Sequence, residues 1–525
     1  MSSWARCCGP VGRLAGVVLC CSVTLSAGCA PLPGLKYVGA HANEERESEK
    51  NTTTINIDVT SPRDHNYFIG LALSGGGSRA ANFSASVMWE LHKLGVLKHV
   101  QYISAVSGST LPAAYYVLFR EDDRKWNPEA LQKVMSQSFE SWAVLYALNP
   151  LRWPKFLSAY DRTNVLAEVF GDRVVDNKTF GEIPRDGPLL LLNATDAIHG
   201  RRFTFTDQSF DAIRSDLSSL PVAVGMAASA AFPGALRYVT LRNFRLRNFQ
   251  ELQPPLGWDP LVKRSPQHYT IPKYLHLIDG GVTDNLGLET LEALYAAYLG
   301  TFGGATFGQG CLMILVDAHM PYLNARAASQ PDTRGIWDAA IDTNALDAAT
   351  IFMQTRRQQH LETLGFTPDH WYGILLERHE VSPSSTLYTK RKPADVEMPG
   401  VFLEHARLRR ESATGPDEDP ERAQRIQQKL SSCHVWHIPL SELTLWGTFS
   451  EFYEGEYRSD YERSLGLKYL EFGNSLLNVP TRFRIDEDDL RNVWTAGRLL
   501  VQEPKSRALI CKWLRDITGS DCRAP

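Results

Sequence analysis

A serine at the end of a short apolar run is the strongest candidate for a nucleophile in this chain. The run Tyr102 to Val106 is typical of a buried strand, and Ser107-Gly108-Ser109 follows it directly. A serine on a sharp strand-to-helix turn needs small neighbours, which is the physical reason for the G-x-S-x-G pattern of hydrolases. Here Ala105 and Ser109, both small, replace the outer glycines. Ser107 fits this pattern better than Ser109, whose own flank would contain the bulky Leu111.

Three consecutive glycines could supply the hydrogen-bond donors that such a nucleophile needs. Gly75, Gly76 and Gly77 follow the apolar run Tyr67 to Leu73 and precede an alanine-rich helical pattern. Backbone N–H groups in such a turn can stabilise a developing oxyanion, and glycine permits close approach. The alternative is a nucleotide-phosphate site, but the spacing matches neither the P-loop nor the dinucleotide fingerprint. Arg79 could contact a substrate phosphate, orient the turn or be purely structural.

A base within hydrogen-bond reach of the serine is the third requirement for acyl transfer. Asp279 ends the apolar run Leu275 to Ile278 and precedes Gly280-Gly281, so its carboxylate is expected on a turn. A Ser-His-Asp triad is the alternative. The best histidines for it are His276 and His319, each near a strand end.

The elements that must position these residues repeat the order strand, glycine turn, helix. Further runs typical of buried strands are Leu189 to Asn193 and Cys311 to Val316. This order predicts an α/β fold with a mostly parallel sheet. Because ligands bind at the carboxyl ends of such strands, we expect the candidate residues to meet at one edge of the sheet.

The length of 525 residues and 43% hydrophobic content allow a large core, while the net charge of -4 gives no footprint for nucleic acid. Residues 29–66 are expected to form a solvated, flexible tether and residues 67–320 the catalytic core. Residues 321–432 are expected to be a charged, helical insertion, with a long amphipathic helix over 336–361. Residues 433–525 would complete the core.

The N-terminal residues 1–28 resemble a secretory signal peptide, with Arg6 and Arg13 before a short apolar stretch. They lead into Leu25-Ser26-Ala27-Gly28-Cys29, which resembles the lipobox of bacterial lipoproteins, although Ser26 stands where leucine is usual. The resemblance implies lipidation of Cys29 and a bacterial membrane lipoprotein, on the outer membrane. An ordinary secretory signal is the alternative.

Cysteine usage fits export and gives no metal motif. Cys511 and Cys522 lie close in sequence and could form a disulfide in an oxidising compartment, or stay as two buried thiols. No cysteine pair has zinc-site spacing, so we expect neither a metal nor another cofactor.

Taken in order, these motifs resemble the patatin-like phospholipase family and its relatives, the group IV cytosolic phospholipases. The resemblance rests on Ser74-Gly75-Gly76-Gly77-Ser78-Arg79, on Ser107 in its turn and on Asp279-Gly280-Gly281. Two more stretches agree, Asn193-Ala194-Thr195-Asp196 and the Ala/Ser-rich segment 227–233. The family implies a three-layer α/β/α fold.

The same resemblance implies a Ser107–Asp279 dyad without histidine and an oxyanion hole at Gly75 to Gly77. From its position beside the glycine turn, Arg79 is the candidate residue for substrate binding. The implied function is hydrolysis of phospholipid or lysophospholipid acyl esters, with membrane lipid as partner. An acyltransferase or neutral-lipid esterase with the same dyad is one alternative, and a non-catalytic lipid-binding lipoprotein is another.

Aromatic and apolar residues are dense between Phe139 and Phe156. Core packing is the interpretation that we favour for this segment. An acyl-binding wall or a membrane-facing cap is the alternative, since tryptophan and tyrosine suit the bilayer interface.

Overall fold

The computed structural model of the chain describes residues 41–46, 60–157, 159–244, 272–303, 305–320, 343–366, 432–443 and 479–523. It also describes positions 402–403, 424, 428–429, 472 and 475–476. The predicted signal peptide and Cys29 lie outside these residues. In the described part of the chain, no helix combines the length and apolar character needed to cross a bilayer.

Eleven strands are described, nine of them in one sheet. In chain order the strands are β1 Glu44–Glu45, β2 Tyr67–Leu73, β3 Tyr102–Val106, β4 Leu189–Asp196, β5 Arg201–Thr204, β6 Ser215–Asp216, β7 Val239–Arg242, β8 Tyr274–Asp279, β9 Gly310–Asp317, β10 Phe402–Leu403 and β11 His434–Pro439. The large sheet has the order β10-β11-β9-β2-β3-β4-β8-β7, with β5 also paired to β4. Its five central strands, β11 to β4, run parallel.

Helices connect and cover these strands. They are α1 Gly77–Lys93, α2 Thr110–Phe119, α3 Pro128–Met135, α4 Phe139–Leu148, α5 Arg162–Arg173, α6 Asp207–Ala212, α7 Val222–Ser229, α8 Gly281–Asp284, α9 Leu288–Phe302, α10 Thr343–Leu364, α11 Glu487–Gln502 and α12 Pro504–Thr518. Consecutive residues of β3 and β4 are all buried, so both faces of the sheet are covered. The three-layer α/β/α fold with a mostly parallel sheet is therefore confirmed.

The sheet edge at β7 and β8 departs from the parallel pattern. Strand β8 runs antiparallel to both β4 and β7. The expectation that every candidate lies at the carboxyl end of a parallel strand is therefore wrong for Asp279. Strand direction depends on distant pairing, which the local sequence of β8 does not encode.

Part of the segment predicted as a tether is attached to the domain. Residues Glu44–Glu45 form β1, which pairs with β6 in a separate two-stranded sheet. The side chain of Asn43 is 3% exposed and donates to the Ser215 hydroxyl and to the Arg242 carbonyl. The free length of any tether that precedes this attachment ends near residue 41.

The insertion and the C-terminal segment both reach the sheet. Helix α10 lies inside the predicted insertion, and strand β11, in the C-terminal segment, pairs with β9. Cys511 and Cys522 form a disulfide, one of the two states left open above. A second disulfide joins Cys311 of β9 to Cys433, and sequence spacing gave no indication of it.

Candidate active site

Ser107 lies on a sharp turn between β3 and α2. Its φ angle of 52° is in the left-handed region, which is uncommon for a residue with a side chain. Two neighbours hold this conformation: the Ser107 amide donates to Ser229 Oγ at 2.8 Å, and Thr110 Oγ1 donates to the Ser107 carbonyl at 2.6 Å. A strained serine fixed in this way is the geometry expected of a nucleophile elbow.

The hydroxyl of Ser107 donates directly to Asp279. The distance from Ser107 Oγ to Asp279 Oδ2 is 2.9 Å, and the other carboxylate oxygen accepts from the Gly281 amide at 2.8 Å. Asp279 is 1% exposed. Burial raises the pKa of its carboxyl group to about 6, and the two hydrogen bonds partly offset that rise. The structure thus brings together the predicted nucleophile and the predicted base.

The two residues meet because of strand register, not because of parallel strand ends. Val106 pairs with Asn193 across β3 and β4, and Ala194 pairs with Asp279 across β4 and β8. Asp279 therefore arrives one residue beyond the end of β3, where Ser107 begins its turn. Gly280 completes this approach, since an added Cβ would lie 2.3 Å from the Asn193 carbonyl oxygen.

The glycine turn lies against the serine. A Cβ added at Gly75 would lie 3.3 Å from the Cβ of Ser107, and one added at Gly108 would lie 2.0 Å from the Gly77 carbonyl oxygen. Gly76 and Gly77 have φ angles of 140° and 59°, which glycine adopts without steric cost. The absence of side chains therefore allows the turn and the elbow to touch.

The three predicted oxyanion glycines are not equivalent. The Gly75 amide already donates to the Asn285 carbonyl at 2.9 Å, so it is not available to a substrate. Among the described residues, no acceptor is found for the amides of Gly76 and Gly77. These two groups begin helix α1, where the helix dipole also favours negative charge. Of the three glycines predicted as oxyanion donors, only Gly76 and Gly77 therefore remain as candidates.

Arg79 is buried beneath the turn. It is 4% exposed, and its Nε and Nη1 donate to the carbonyls of Ala318 and Val479, each at 2.9 Å. Burial lowers the pKa of its guanidinium to about 10, and nearby Asp317 opposes this change. These contacts fit the role of orienting the turn and disfavour contact with a substrate phosphate.

Neither alternative histidine contacts the serine in the described part of the structure. His276 lies on the face of β8 opposite to Asp279, because side chains alternate along a strand, and it contacts Thr240 Oγ1 at 3.2 Å. His319 is buried near Arg357 and Arg79, and burial followed by the Arg357 charge holds its pKa well below the ordinary value. The contact that Ser107 Oγ makes is with the carboxylate.

Two neighbours of the site come from segments that the sequence did not connect to it. A Cβ added at Gly281 would lie 2.2 Å from Met353 Cε, so helix α10 of the insertion covers the residues next to the base. The Ser78 amide donates to the Arg482 carbonyl at 2.6 Å, so the C-terminal segment lies on the glycine turn. Only a three-dimensional structure reveals such contacts, since no local pattern marks either residue.

One cluster near the site has the composition of a metal centre. Asp284, Glu289 and His360 bring potential ligand atoms within 4.8 Å of one another. Burial alone would lower the pKa of His360, but the neighbouring carboxylates, Glu292 foremost, raise it to about 9. Arg202 donates to Glu289 at 3.1 Å. The charges of the cluster therefore balance one another as ion pairs that join α10 to the domain.

Comparison with known proteins identifies one matching family model. Residues 71–291 match the family model of patatin-like phospholipases. This stretch, about two fifths of the chain, is therefore similar to the patatin-like phospholipase domain. The match includes the glycine turn, Ser107 and Asp279.

Solved structures with some likeness include human GIVD cytosolic phospholipase A2, at 14% identity, a TM-score of 0.41, and coverage of 87% of this chain and 64% of that one. The same human enzyme with methyl gamma-linolenyl fluorophosphonate and terbium chloride gives 16% identity and a TM-score of 0.39, covering 87% of this chain and 60% of that one. VipD from Legionella pneumophila is 10% identical with a TM-score of 0.24, and the match covers 92% of this chain and 91% of that one. No curated protein sequence matches significantly.

Proposed function

We propose that this protein hydrolyses acyl ester bonds of membrane phospholipids or lysophospholipids, with Ser107 as nucleophile and Asp279 as base. The observation that carries the proposal is the 2.9 Å hydrogen bond from Ser107 Oγ to Asp279 Oδ2 inside a patatin-like domain. A strained serine, a buried carboxylate and two amides that have no acceptor among the described residues are the parts that acyl transfer needs.

The first half of the reaction forms an acyl enzyme. Asp279 Oδ2 takes the proton as Ser107 Oγ attacks the ester carbonyl carbon, and the amides of Gly76 and Gly77 stabilise the resulting oxyanion. When the tetrahedral intermediate collapses, the bond to the alcohol breaks, and Asp279 returns the proton to that leaving group. In the second half, Asp279 takes a proton from a water molecule as its oxygen attacks the acyl carbon. The bond from that carbon to Ser107 Oγ then breaks, Asp279 returns the proton to Ser107 Oγ, and the fatty acid is released.

The burial of Asp279 raises its pKa and so makes its carboxylate a better general base. An ordinary aspartate, with a pKa near 3.8, is a weak base at neutral pH. With the pKa at about 6, the group is still mostly ionised at pH 7 and accepts a proton more readily. This supports direct proton transfer without a histidine.

We also propose that the protein is a lipoprotein held at a bacterial membrane, on the outer membrane, through Cys29. The support is the sequence Leu25-Ser26-Ala27-Gly28-Cys29 after an apolar stretch. A lipid anchor would keep the enzyme beside a membrane substrate and raise its effective concentration. Replacing Cys29 by serine should release the protein from membranes, and unchanged detergent partitioning would argue against lipidation.

Labelling with a fluorophosphonate tests the catalytic proposal. The probe should modify Ser107, identified by peptide mapping, and Ser107→Ala should abolish both labelling and ester hydrolysis. Ser109→Ala is the matched control because that serine lies in the same turn and donates to the Ser74 carbonyl. Labelling of another serine, or hydrolysis by a folded Ser107→Ala protein, would reject the proposal. Product analysis with defined lipids and an acceptor alcohol separates hydrolysis from acyl transfer.

A further inference from the structure

The segment after α3 exposes five large apolar side chains. On α4, Val144, Leu145 and Leu148 are 57%, 56% and 64% exposed, and beyond it Leu151 and Trp153 are 87% and 58% exposed. We call these five residues the apolar ridge. The expectation that this segment packs into the core is therefore wrong for the ridge. Soluble proteins seldom leave such a contiguous patch open unless it meets a partner.

The two parts of the ridge lie together, and contacts on the other side of α4 hold this helix in place. Trp153 Nε1 donates to the Ala147 carbonyl at 3.3 Å, which folds the segment after α4 back onto the helix. On the inner side of α4, Trp142 stacks under the Arg173 guanidinium at 3.4 Å, and Tyr146 donates to Asp172 at 2.6 Å. Both contacts are to helix α5. The ridge therefore remains exposed because polar contacts fix the opposite side of its helix.

The helix that carries the ridge is connected to the active site at its first residue. The Phe139 amide, at the start of α4, donates to the Phe483 carbonyl at 2.9 Å. The preceding residue, Arg482, accepts from the Ser78 amide in the glycine turn. One short stretch of chain thus links the ridge helix to the oxyanion donors. The helix that carries three of the ridge residues is thus attached at its first residue to the chain that contacts the glycine turn.

The N-terminal segment is attached to the domain near the helix that follows the ridge, so a lipid anchor at Cys29 would place the ridge near a membrane. The Ala42 amide donates to Thr240 in β7, and Arg237, just before β7, accepts from Thr163 in the first turn of α5. His41 lies twelve positions after Cys29 in the sequence. Fully extended, this stretch spans at most about 40 Å. An anchor at Cys29 therefore keeps the domain near the bilayer, with its attachment point next to the helix that follows the ridge.

We infer that the apolar ridge inserts into the interfacial layer of a lipid bilayer and holds the catalytic turn against it. This inference rests on the proposed function, since it places the site at a membrane substrate. The basic residues of the segment, Arg152 and Lys155, both pair with Glu168, so the ridge carries little unpaired charge. Its partner is therefore a neutral, zwitterionic lipid surface, recognised by apolar insertion, with Trp153 at the depth that tryptophan prefers.

Vesicle binding of the full chain tests this inference. In a Cys29→Ser background, which removes the anchor, the protein should cosediment with phosphatidylcholine vesicles. The double variant Leu148→Ser/Leu151→Ser should bind roughly tenfold or more weakly, since each leucine loses most of its favourable transfer from water. The matched control is Ile351→Ser/Phe352→Ser on α10, whose side chains are 53% and 52% exposed. Equal binding of the ridge variant and the control would overturn the inference.

Further readouts separate the possible failures. Hydrolysis of a soluble monomeric ester should be unchanged in the ridge variant, because none of its residues touches Ser107 or Asp279. If light scattering without lipid shows a dimer that the variant converts to a monomer, the ridge is a self-association surface and the inference is wrong. Ser107→Ala protein should still bind vesicles. Loss of hydrolysis with intact binding therefore points to the catalytic proposal and not to the ridge. Leu151→Ser alone serves as a milder variant should the double one melt early.

Discussion

Ionising Asp279 in its buried position costs the folded protein free energy. The gap between its pKa of about 6 and the ordinary 3.8, at about 1.4 kcal/mol per pH unit, corresponds to about 3 kcal/mol. Because the folded-state pKa is raised, the protonated carboxyl group stabilises the fold relative to the ionised one. This stabilisation is fully present below pH 3.8 and is lost as the pH rises through about 6. An asparagine cannot ionise, so the Asp279→Asn variant should not lose this free energy of unfolding as the pH rises.

We therefore expect Asp279→Asn to be more stable than the wild type at pH 7.5, by up to about 3 kcal/mol, and equally stable near pH 4. The asparagine carbonyl can still accept from the Gly281 amide, and its NH2 group can donate to Ser107 Oγ. Urea unfolding at the two pH values measures the difference. The same substitution removes the base, so kcat/KM on a soluble ester should fall by roughly 10²–10⁴-fold or more.

The pH dependence of the wild type provides a further check on the same group. Its kcat/KM should fall as the pH drops through about 6, because the protonated carboxyl group cannot accept the serine proton. Equal destabilisation of Asp279→Asn at pH 4 and pH 7.5 would refute the stability argument. Normal turnover by the folded variant would reject the dyad and return attention to His276 and His319.

Two other perturbations follow from contacts in the structure. In Gly108→Ala, the new Cβ must move about 1.4 Å to relieve its contact with the glycine turn, and a displacement of about 1 Å can cost roughly 10²-fold in kcat/KM. Gly300→Ala is the control that should keep full activity, because a Cβ added there meets no described atom within 4 Å outside its own helix backbone. Comparable kinetics for both variants would contradict the argument. Arg357→Met should lower the free energy of unfolding by about 3–5 kcal/mol, because it leaves the buried Asp317 carboxylate without its guanidinium. Arg356→Met, on the half-exposed neighbour, should change that free energy by less than about 1 kcal/mol in the same denaturation assay.

The sequence predicted the parts of the site that depend on local pattern. Ser107 follows an apolar run and has small neighbours, and Asp279 ends another run before two glycines. Steric limits on a strand-to-helix turn act within a few residues, so the local sequence shows them as small residues beside the serine. The strand, glycine and helix order predicted the parallel centre of the sheet for the same reason.

The remaining features depend on contacts between distant segments. The antiparallel direction of β8, the loss of the Gly75 amide to Asn285 and the burial of Arg79 under Val479 leave no local signal. The apolar segment after Phe139 is a different case. Its composition is that of a core helix, and only the contacts of α4 show which side faces the solvent.

The disulfide between Cys311 and Cys433 has a consequence for the integrity of the chain. It joins neighbouring parallel strands across 122 residues of sequence, a stretch that includes helix α10 above the base. A protease that cut one peptide bond inside this loop would yield two fragments still linked covalently, with β11 kept beside β9. Such a nicked protein should run as one band without reductant and as two bands with it.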